Sequence, residues 1–493
     1  MRRGKLARRG VLDGAEGPRS LWPMHPDEFR RHAHELVDWM ADYLRDVGEL
    51  PVTPRVAPGD IRRRLPESPP TEGEPFAALF EDFRELIVPG MTHWNHPGWF
   101  AYFPCNNSPP AVLGEMLTAA MGAQCMSWAT SPAATELEQT VMSWLRRMVG
   151  LPVEFVGVIQ DTASTATLVA LLSARERATG GATGLHGLTR GPALTVYASH
   201  EAHSSVDKGA KLAGYGLEHL RRVPTDMAYA MDPAALDRAI EDDLAAGLRP
   251  ACVVATVGTT SSTAVDPLAA IAAICRRRGV WLHVDAAYAG PAAIVPELRG
   301  QFEGWELADS IVLNPHKWLL TNFDCTAYYV RDREALLSTF SLTPEYLRTA
   351  HDAEVVNYRD WGIQLGRRFR ALKLWFVIRS YGVEGLRALL RRHVALAGEL
   401  AGWIDAAPDF ERMAPVPFGL VCFRYRPQGA GDEELDRINE RLLGEVNASR
   451  RVFLTHTRLG GRFVLRLVVG QRATERRHVE EAWGLVREAA GRV

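Results

Sequence analysis

The period of the apolar positions changes along the chain, and those changes divide it. Over residues 26–46, Phe29, Leu36, Val37, Met40 and Leu44 recur at helical spacing, with Pro26 and Asp27 suited to a first turn. A Pro/Gly-rich stretch, 51–75, reads as a linker, and 75–87 as a second helix. These segments hold too few apolar positions for a core of their own, so they are expected to pack on the rest of the chain or on a partner. The pattern predicts a strong helix over 132–148, with Ser131 as N-cap, Pro132 at the first position and a stripe of Leu137, Val141, Trp144, Leu145 and Met148. Short β-branched runs at 156–159, 194–197, 252–257, 280–284 and 310–313 then alternate with helical stretches at 163–179, 203–212, 233–246 and 267–278. This order predicts an α/β fold with a mainly parallel sheet covered on both faces, whose ligands sit beyond the carboxyl ends of the strands. Helices at 366–381 and 385–403, then strands at 419–425 and 463–469, suggest a small C-terminal α+β domain.

Composition narrows the class. The 493 residues are 47% hydrophobic and 24% charged, ordinary for a globular protein of more than one domain. A net charge of −2 gives no global attraction to nucleic acid or acidic membranes. Arg2, Arg3, Lys5, Arg8 and Arg9 form a basic start, but Val11-Leu12-Asp13-Gly14 breaks the apolar stretch a signal peptide needs. Residues 1–22 therefore read as a disordered extension, with Met24 an alternative start. No apolar run reaches membrane-spanning length. The six cysteines form no C-x-x-C pair, which argues against a disulfide scaffold or a zinc site and for reduced thiols in cytoplasm. No metal is expected.

The chemistry lies at the strand ends. Trp281-Leu282-His283-Val284-Asp285-Ala286-Ala287 ends one predicted strand on a carboxylate, and Asn314-Pro315-His316-Lys317-Trp318 follows the next. A lone lysine is usually a surface residue, but Lys317 is flanked by His316 and Trp318 and precedes Leu319-Leu320. A buried lysine has a lowered pKa and offers a neutral amine. A strand-end lysine after a strand-end carboxylate is what pyridoxal phosphate (PLP) requires. The amine bonds the cofactor aldehyde, and Asp285 keeps the ring nitrogen protonated. Ala287 is small enough to lie against one ring face, and His203 is the candidate for the other, although a capping histidine is the blander reading. Thr162, Ala163 and Ser164 open a helix after a strand, a phosphate cradle by geometry but also a common cap. Thr260 reaches the same sheet edge, and Asn314 and His316 add polar contacts. Arg466 alternates with apolar neighbours on a strand, and either a substrate-carboxylate ligand or a buried structural arginine fits that pattern. Arg367 and Arg368 read as structural.

Taken together, Thr92-His93-Trp94, Phe100-Ala101-Tyr102-Phe103-Pro104, 131–138, Ala202-His203-Ser204-Ser205, 283–290, 314–320 and 365–370 resemble the group II PLP-dependent amino-acid decarboxylases, the aromatic-L-amino-acid decarboxylase family. The resemblance runs along almost the entire chain from about Phe29. It implies PLP-dependent transferase fold type I, the aspartate-aminotransferase-like fold, and a homodimer with sites at the subunit interface. Domains would then run 23–108 (helical dimerisation segment), 109–372 (large PLP-binding domain) and 373–493 (small domain). By matching position, Lys317 resembles the lysine that bonds the cofactor, Asp285 its ring-nitrogen partner and His203 the stacking histidine. Thr162, Ala163, Ser164, Asn314 and His316 resemble the phosphate contacts, and Thr260 a threonine near the ring. Trp94, Tyr102, Phe103, Pro104, Cys105 and Phe323 resemble the substrate pocket, joined by Gln124 and Met126 from the other subunit.

The implied reaction is decarboxylation of tryptophan, tyrosine, DOPA or phenylalanine to the arylalkylamine. Tyr346, in a loop over 341–357, matches the family's proton donor; related aldehyde synthases carry Phe there, so Tyr346 with His203 favours plain decarboxylation. Gly366 stands where histidine decarboxylases of the family carry Ser, which favours larger rings. Cys105, Gln124 and Met126 depart from the animal enzymes. The rival readings are an aldehyde synthase, a histidine decarboxylase and, last, a PLP-binding paralogue without catalysis.

Overall fold

The computed structural model describes residues 24–342, 351 and 354–493. The expected extension 1–22 and Tyr346 lie outside the described residues. Two compact units meet in sequence at Thr92 and His93, so residues 93–108 fall in the second. The first unit holds α1 (Pro26–Asp46), α2 (Asp60–Arg64) and α3 (Phe76–Asp82). The 75–87 helix continues past α3 only as a wider turn over Phe83–Ile87. Trp39 packs edge-on against Phe83 at 4.9 Å, but Phe29 stays 63% exposed.

The second unit is built on a seven-stranded sheet. Before and within it come α4 (Pro109–Met121), α5 (Pro132–Val149), β1 (Val156–Gln160), α6 (Ala163–Thr179), α7 (Ala182–His186), β2 (Leu194–Ser199), α8 (Ser205–Leu212), β3 (Leu220–Val223), α9 (Pro233–Ala245) and β4 (Arg249–Thr256). Then follow α10 (Leu268–Arg278), β5 (Trp281–Asp285), β6 (Ser310–Leu313), α11 (Pro315–Trp318), β7 (Thr326–Val330) and α12 (Arg333–Phe340). Strand order is β1-β7-β6-β5-β4-β2-β3, and only β7 runs against the others. The strands are apolar on both faces because both faces are covered. Val253, Leu282, Val284 and Ile311 join the core shared with α5, α9 and α10, while Val254, Trp281 and Val312 join the one under α6 and α8.

Local chemistry sets the helix ends. Thr162 caps α6 by accepting from the Thr165 N–H at 3.4 Å. Ser131 occupies the N-cap position of α5, but its hydroxyl donates to Gln124 O at 2.9 Å and does not cap. The two helices expected after residue 366 meet as α13 (Arg370–Asp405) at Gly382, whose φ of +63° ends the first helical path. Beyond α13, β8 (Phe410–Arg412), β9 (Leu420–Tyr425), α14 (Asp432–Ala448), β10 (Thr455–Leu459), β11 (Arg462–Val468) and α15 (Arg476–Ala490) form an antiparallel sheet, order β10-β11-β9-β8, backed by helices.

Candidate active site

The carboxyl ends of β1, β2, β4, β5 and β6 converge, as they must when strands of one direction share an edge. A cavity of about 230 Å³ opens there. Thr162, Ala163 and Ser164 enter it from the start of α6, and His203 from the loop after β2. Thr260 comes from beyond β4, Asp285 and Ala287 from the end of β5, and Asn314, His316 and Lys317 from beyond β6. Phe103 and Phe323 complete the predicted residues on its wall. Thr256, Gly258 and Tyr288 also line it. Thr256 and Tyr288 were not among the sequence candidates. Thr256 was readable only from register, since it pairs with Asp285 across β4 and β5. Gly258 turns the chain at φ +84°, where a Cβ would stand 2.7 Å from that of Ala289.

Lys317 is held by its own backbone. Asn106 Nδ2 donates to Lys317 O at 3.1 Å and to Gly470 O at 2.6 Å, and Trp318 Nε1 donates to His393 Nδ1 at 2.9 Å. The Lys317 Nζ reaches into the cavity 5.6 Å from the Phe103 ring centre. Burial pulls its pKa down, against the opposing pull of Asp285 and Cys105. Asp285 lines the cavity, and its Oδ1 accepts from the Ala287 N–H at 3.0 Å. His203 Nδ1 accepts from the Ser205 N–H at 3.0 Å, and burial lowers its pKa, so the ring is neutral. Burial and Lys317 push His316 down to about 3. Its Nδ1 accepts from the Cys325 N–H at 2.9 Å, so Nε2 carries the proton. The Asn314 amide, 3.3 Å away, meets that proton with its oxygen and so turns its NH₂ outward as a donor.

Phe103 stacks on Tyr288 at 3.8 Å, and Tyr288 on Trp318 at 4.7 Å, giving the cavity a rigid aromatic floor. Arg466 lies 5.5 Å from the Phe103 ring. Its donors go to Thr260 O at 2.7 Å, Ser261 O at 3.1 Å and Thr455 Oγ1 at 2.9 Å. Of the two roles its sequence allows, this geometry is the structural one: it ties the loop after β4 to the small sheet.

The remaining pocket candidates stand off this cavity. Trp94 stacks on Tyr102 at 5.6 Å, and both are exposed. Pro104 packs against Gly470, where a Cβ would come within 2.7 Å. Cys105 is half-buried, its thiol pKa raised by burial and partly drawn back by Lys317. Gln124, Met126 and Gly366 form a separate group around Arg367. Gln124 Oε1 accepts from the Arg367 N–H at 2.7 Å, and Met126 O from the Arg359 N–H at 2.8 Å. The Arg367 guanidinium makes a buried pair with Glu138 at 2.7 and 3.1 Å and donates to Ile159 O at 2.8 Å. Arg368 pairs with Glu115.

Residues 58–426 match the model of the pyridoxal-dependent decarboxylase conserved domain. The chain belongs to the pyridoxal-dependent decarboxylase family. As a family member it is a PLP-dependent carboxy-lyase of fold type I. The decarboxylase is 44% identical to tryptophan decarboxylase 2 of Oryza sativa subsp. japonica, over 98% of this chain and 99% of that protein. It is 45% identical to aromatic-L-amino-acid decarboxylase of Sus scrofa, over 95% and 97%. Phenylacetaldehyde synthase of Arabidopsis thaliana is 44% identical, over 95% and 97%. The structure of Oryza sativa TDC with PLP and tryptamine superposes with a TM-score of 0.93 at 41% identity, covering 96% of this chain and 99% of that one.

The cavity's own chemistry fits PLP. Thr256 Oγ1 is buried with no hydrogen-bond partner among the described residues, and so is the end of the Asn314 amide turned away from His316. Both suit the polar edge of a bound cofactor. The start of the 17-residue α6 adds unsatisfied N–H groups for its phosphate.

Proposed function

We propose that the decarboxylase acts on aromatic L-amino acids, releasing CO₂ and the arylalkylamine. The observation that carries this is the meeting of Lys317, Asp285, His203 and the start of α6 in one cavity floored by stacked aromatic rings. Bound PLP supplies an aldehyde for amines and a protonated ring that draws electrons from Cα. Lys317 would hold that aldehyde through its neutral amine. Asp285 would keep the ring nitrogen protonated, and His203 and Ala287 would flank the ring. Thr162, Ala163, Ser164, Asn314 and His316 would take the phosphate. His316 is neutral there and, with its Nε2–H given to Asn314, would act by turning that amide's NH₂ toward the phosphate. Thr260, on the cavity wall, would lie near the ring. Phe103 and Tyr288 exclude water from the departing carboxylate, whose charge disperses as the C–C bond breaks. Tyr346, outside the described residues, returns a proton to Cα.

The same reading assigns a homodimer. Leu113, Met116, Leu117 and Met121 form an exposed apolar stripe on α4, at helical spacing, which a second copy would cover. Gln124 and Met126 then complete the partner's pocket together with Trp94, Tyr102, Pro104, Cys105, Phe323 and Gly366. A cytoplasmic location accords with six free cysteines.

The test is product analysis by mass spectrometry, with PLP and each of tryptophan, tyrosine, DOPA, phenylalanine, histidine and glutamate in air. Amine from an aromatic substrate is expected. Aldehyde, ammonia and peroxide as main products would instead favour the reading suggested by the aldehyde-synthase relative and would remove Tyr346 as proton donor. Histamine alone would reassign the pocket.

A further inference from the structure

Asp285 is not the only polar side chain on its face of β5. Side chains alternate along a strand, so Trp281, His283 and Asp285 share the face packed under α6. Polar groups in such a place are costly unless paired. Trp281 Nε1–H donates to Ser310 Oγ at 2.8 Å. The indole can only donate, so it takes a lone pair of Ser310 and leaves the hydroxyl proton to be given onward. His283 Nδ1 lies 2.9 Å from the same Oγ. With Nδ1 as the acceptor of that hydroxyl proton, the imidazole proton stands on Nε2. That atom is fully buried and has no hydrogen-bond partner among the described residues.

Across the sheet His283 is flanked by Val254 and Ser310, and Asp285 by Thr256 and Val312. The Tyr328 ring is 6.2 Å away, centre to centre. The carboxylate is two residues on, at a Cα spacing of roughly 6.6 Å along the strand, a gap that one buried water would bridge. Asp285 Oδ1 is already engaged by the Ala287 N–H, so one oxygen remains. Burial holds His283 neutral, its pKa down at about 4, while the Asp285 charge pulls the other way.

We propose that His283 is a positioning residue that acts through Asp285: the relay Trp281–Ser310–His283 ends in an Nε2–H that orients the carboxylate toward the place of the ring nitrogen. The inference rests on the reading of Asp285 as the ring-nitrogen partner.

The experiment compares purified holoenzyme carrying His283→Phe, His283→Gln, His283→Asn, Asp285→Asn, and the pair His283→Phe with Asp285→Asn. Turnover and the absorption spectrum of the bound cofactor are both read. Loss of an outer partner of this kind is expected to cost about tenfold in kcat, with a changed cofactor spectrum in His283→Phe. Gln places a nitrogen donor where Nε2 stood and is expected to recover most of the rate and spectrum; Asn reaches only the Nδ1 position and is not. The double variant should be no slower than Asp285→Asn alone, because both changes cut one connection. Multiplying losses, or an unchanged spectrum in a folded His283→Phe, would overturn the proposal. If His283→Phe does not fold, the Gln–Asn comparison decides, and equal loss in both rejects it. An Asp285→Asn enzyme with normal rate and spectrum would instead reject the underlying assignment of Asp285.

Discussion

The two halves of the site are built differently. The cofactor half is made of strand ends in one unit: Asp285, Asn314, His316 and Lys317 leave adjacent strands and are buried or enclosed. The proposed substrate half is made of loops: Trp94, Tyr102 and Phe323 are exposed, and Gln124, Met126 and Gly366 cluster elsewhere around Arg367. Bond-breaking chemistry needs groups held to fractions of an ångström, which a packed sheet provides. Choice of side chain tolerates, and is tuned by, variable loops. One consequence is that damage to the first half should abolish the reaction, and damage to the second should redirect it.

The largest effect is expected at Lys317. Lys317→Ala should lower turnover by at least about 10³-fold, the scale on which loss of a positioned nucleophile or base is felt, and should leave PLP removable by dialysis. PLP still held covalently would take the lysine out of its role. On the substrate side the corresponding weak point is the Glu138–Arg367 pair. It is almost fully buried, and removing one partner leaves an uncompensated charge, so Arg367→Met should cost about 3–5 kcal/mol of stability. Equilibrium urea unfolding measures it. A loss below about 1 kcal/mol would mean the pair is solvated, and that the substrate half lacks the one rigid anchor assigned to it.

Acid should act first on the cofactor half. Burial depresses His283 to about 4 and His316 and His393 to about 3, from 6.5 in the unfolded chain. Above pH 6.5 both states leave these rings neutral, and their contribution to stability is complete. Below it only the unfolded chain takes the protons, so stability falls as pH drops toward 4, by about 1.4 kcal/mol per histidine per pH unit. Unfolding midpoints at pH 7, 6 and 5 check the sign. A midpoint that stays level would show these rings are not buried neutral, and would undo the contrast in rigidity.

The same contrast decides what the sequence discloses. Strands buried on both faces must be continuous apolar runs, so 310–313 and its neighbours were readable, and with them Asp285 and Lys317 at their ends. β7 was missed altogether, although Thr326–Val330 is a short apolar run, and such a run does not tell its direction. β3 was missed because it carries Arg221 and Arg222, which pair with Asp243 and Asp207, where an apolar run would be sought. Thr256 needed the β4–β5 register. The meeting of Gln124 with Gly366 needed the tertiary fold itself, since nothing local in either segment points to the other.

The smallest predicted effect lies in that last contact. The Gln124 amide is not free to turn: its oxygen is occupied by the Arg367 N–H, and its Nε2 stands 3.2 Å from where a Cβ on Gly366 would be. The end it can present to a substrate ring is therefore a donor. A phenol or catechol oxygen accepts from it, whereas an indole N–H meets another donor. One hydrogen bond of about 1 kcal/mol corresponds to roughly a fivefold preference, so Gln124→Leu should lower the tyrosine-to-tryptophan ratio of kcat/KM about fivefold with little change for phenylalanine. Competition between tyrosine and tryptophan in one vessel measures that ratio directly. A ratio moving the other way would mean the amide turns to offer its oxygen, and the substrate half would then be more adaptable than its contacts imply. A proportional loss on all three substrates would place Gln124 with the framework and not with the choice of ring.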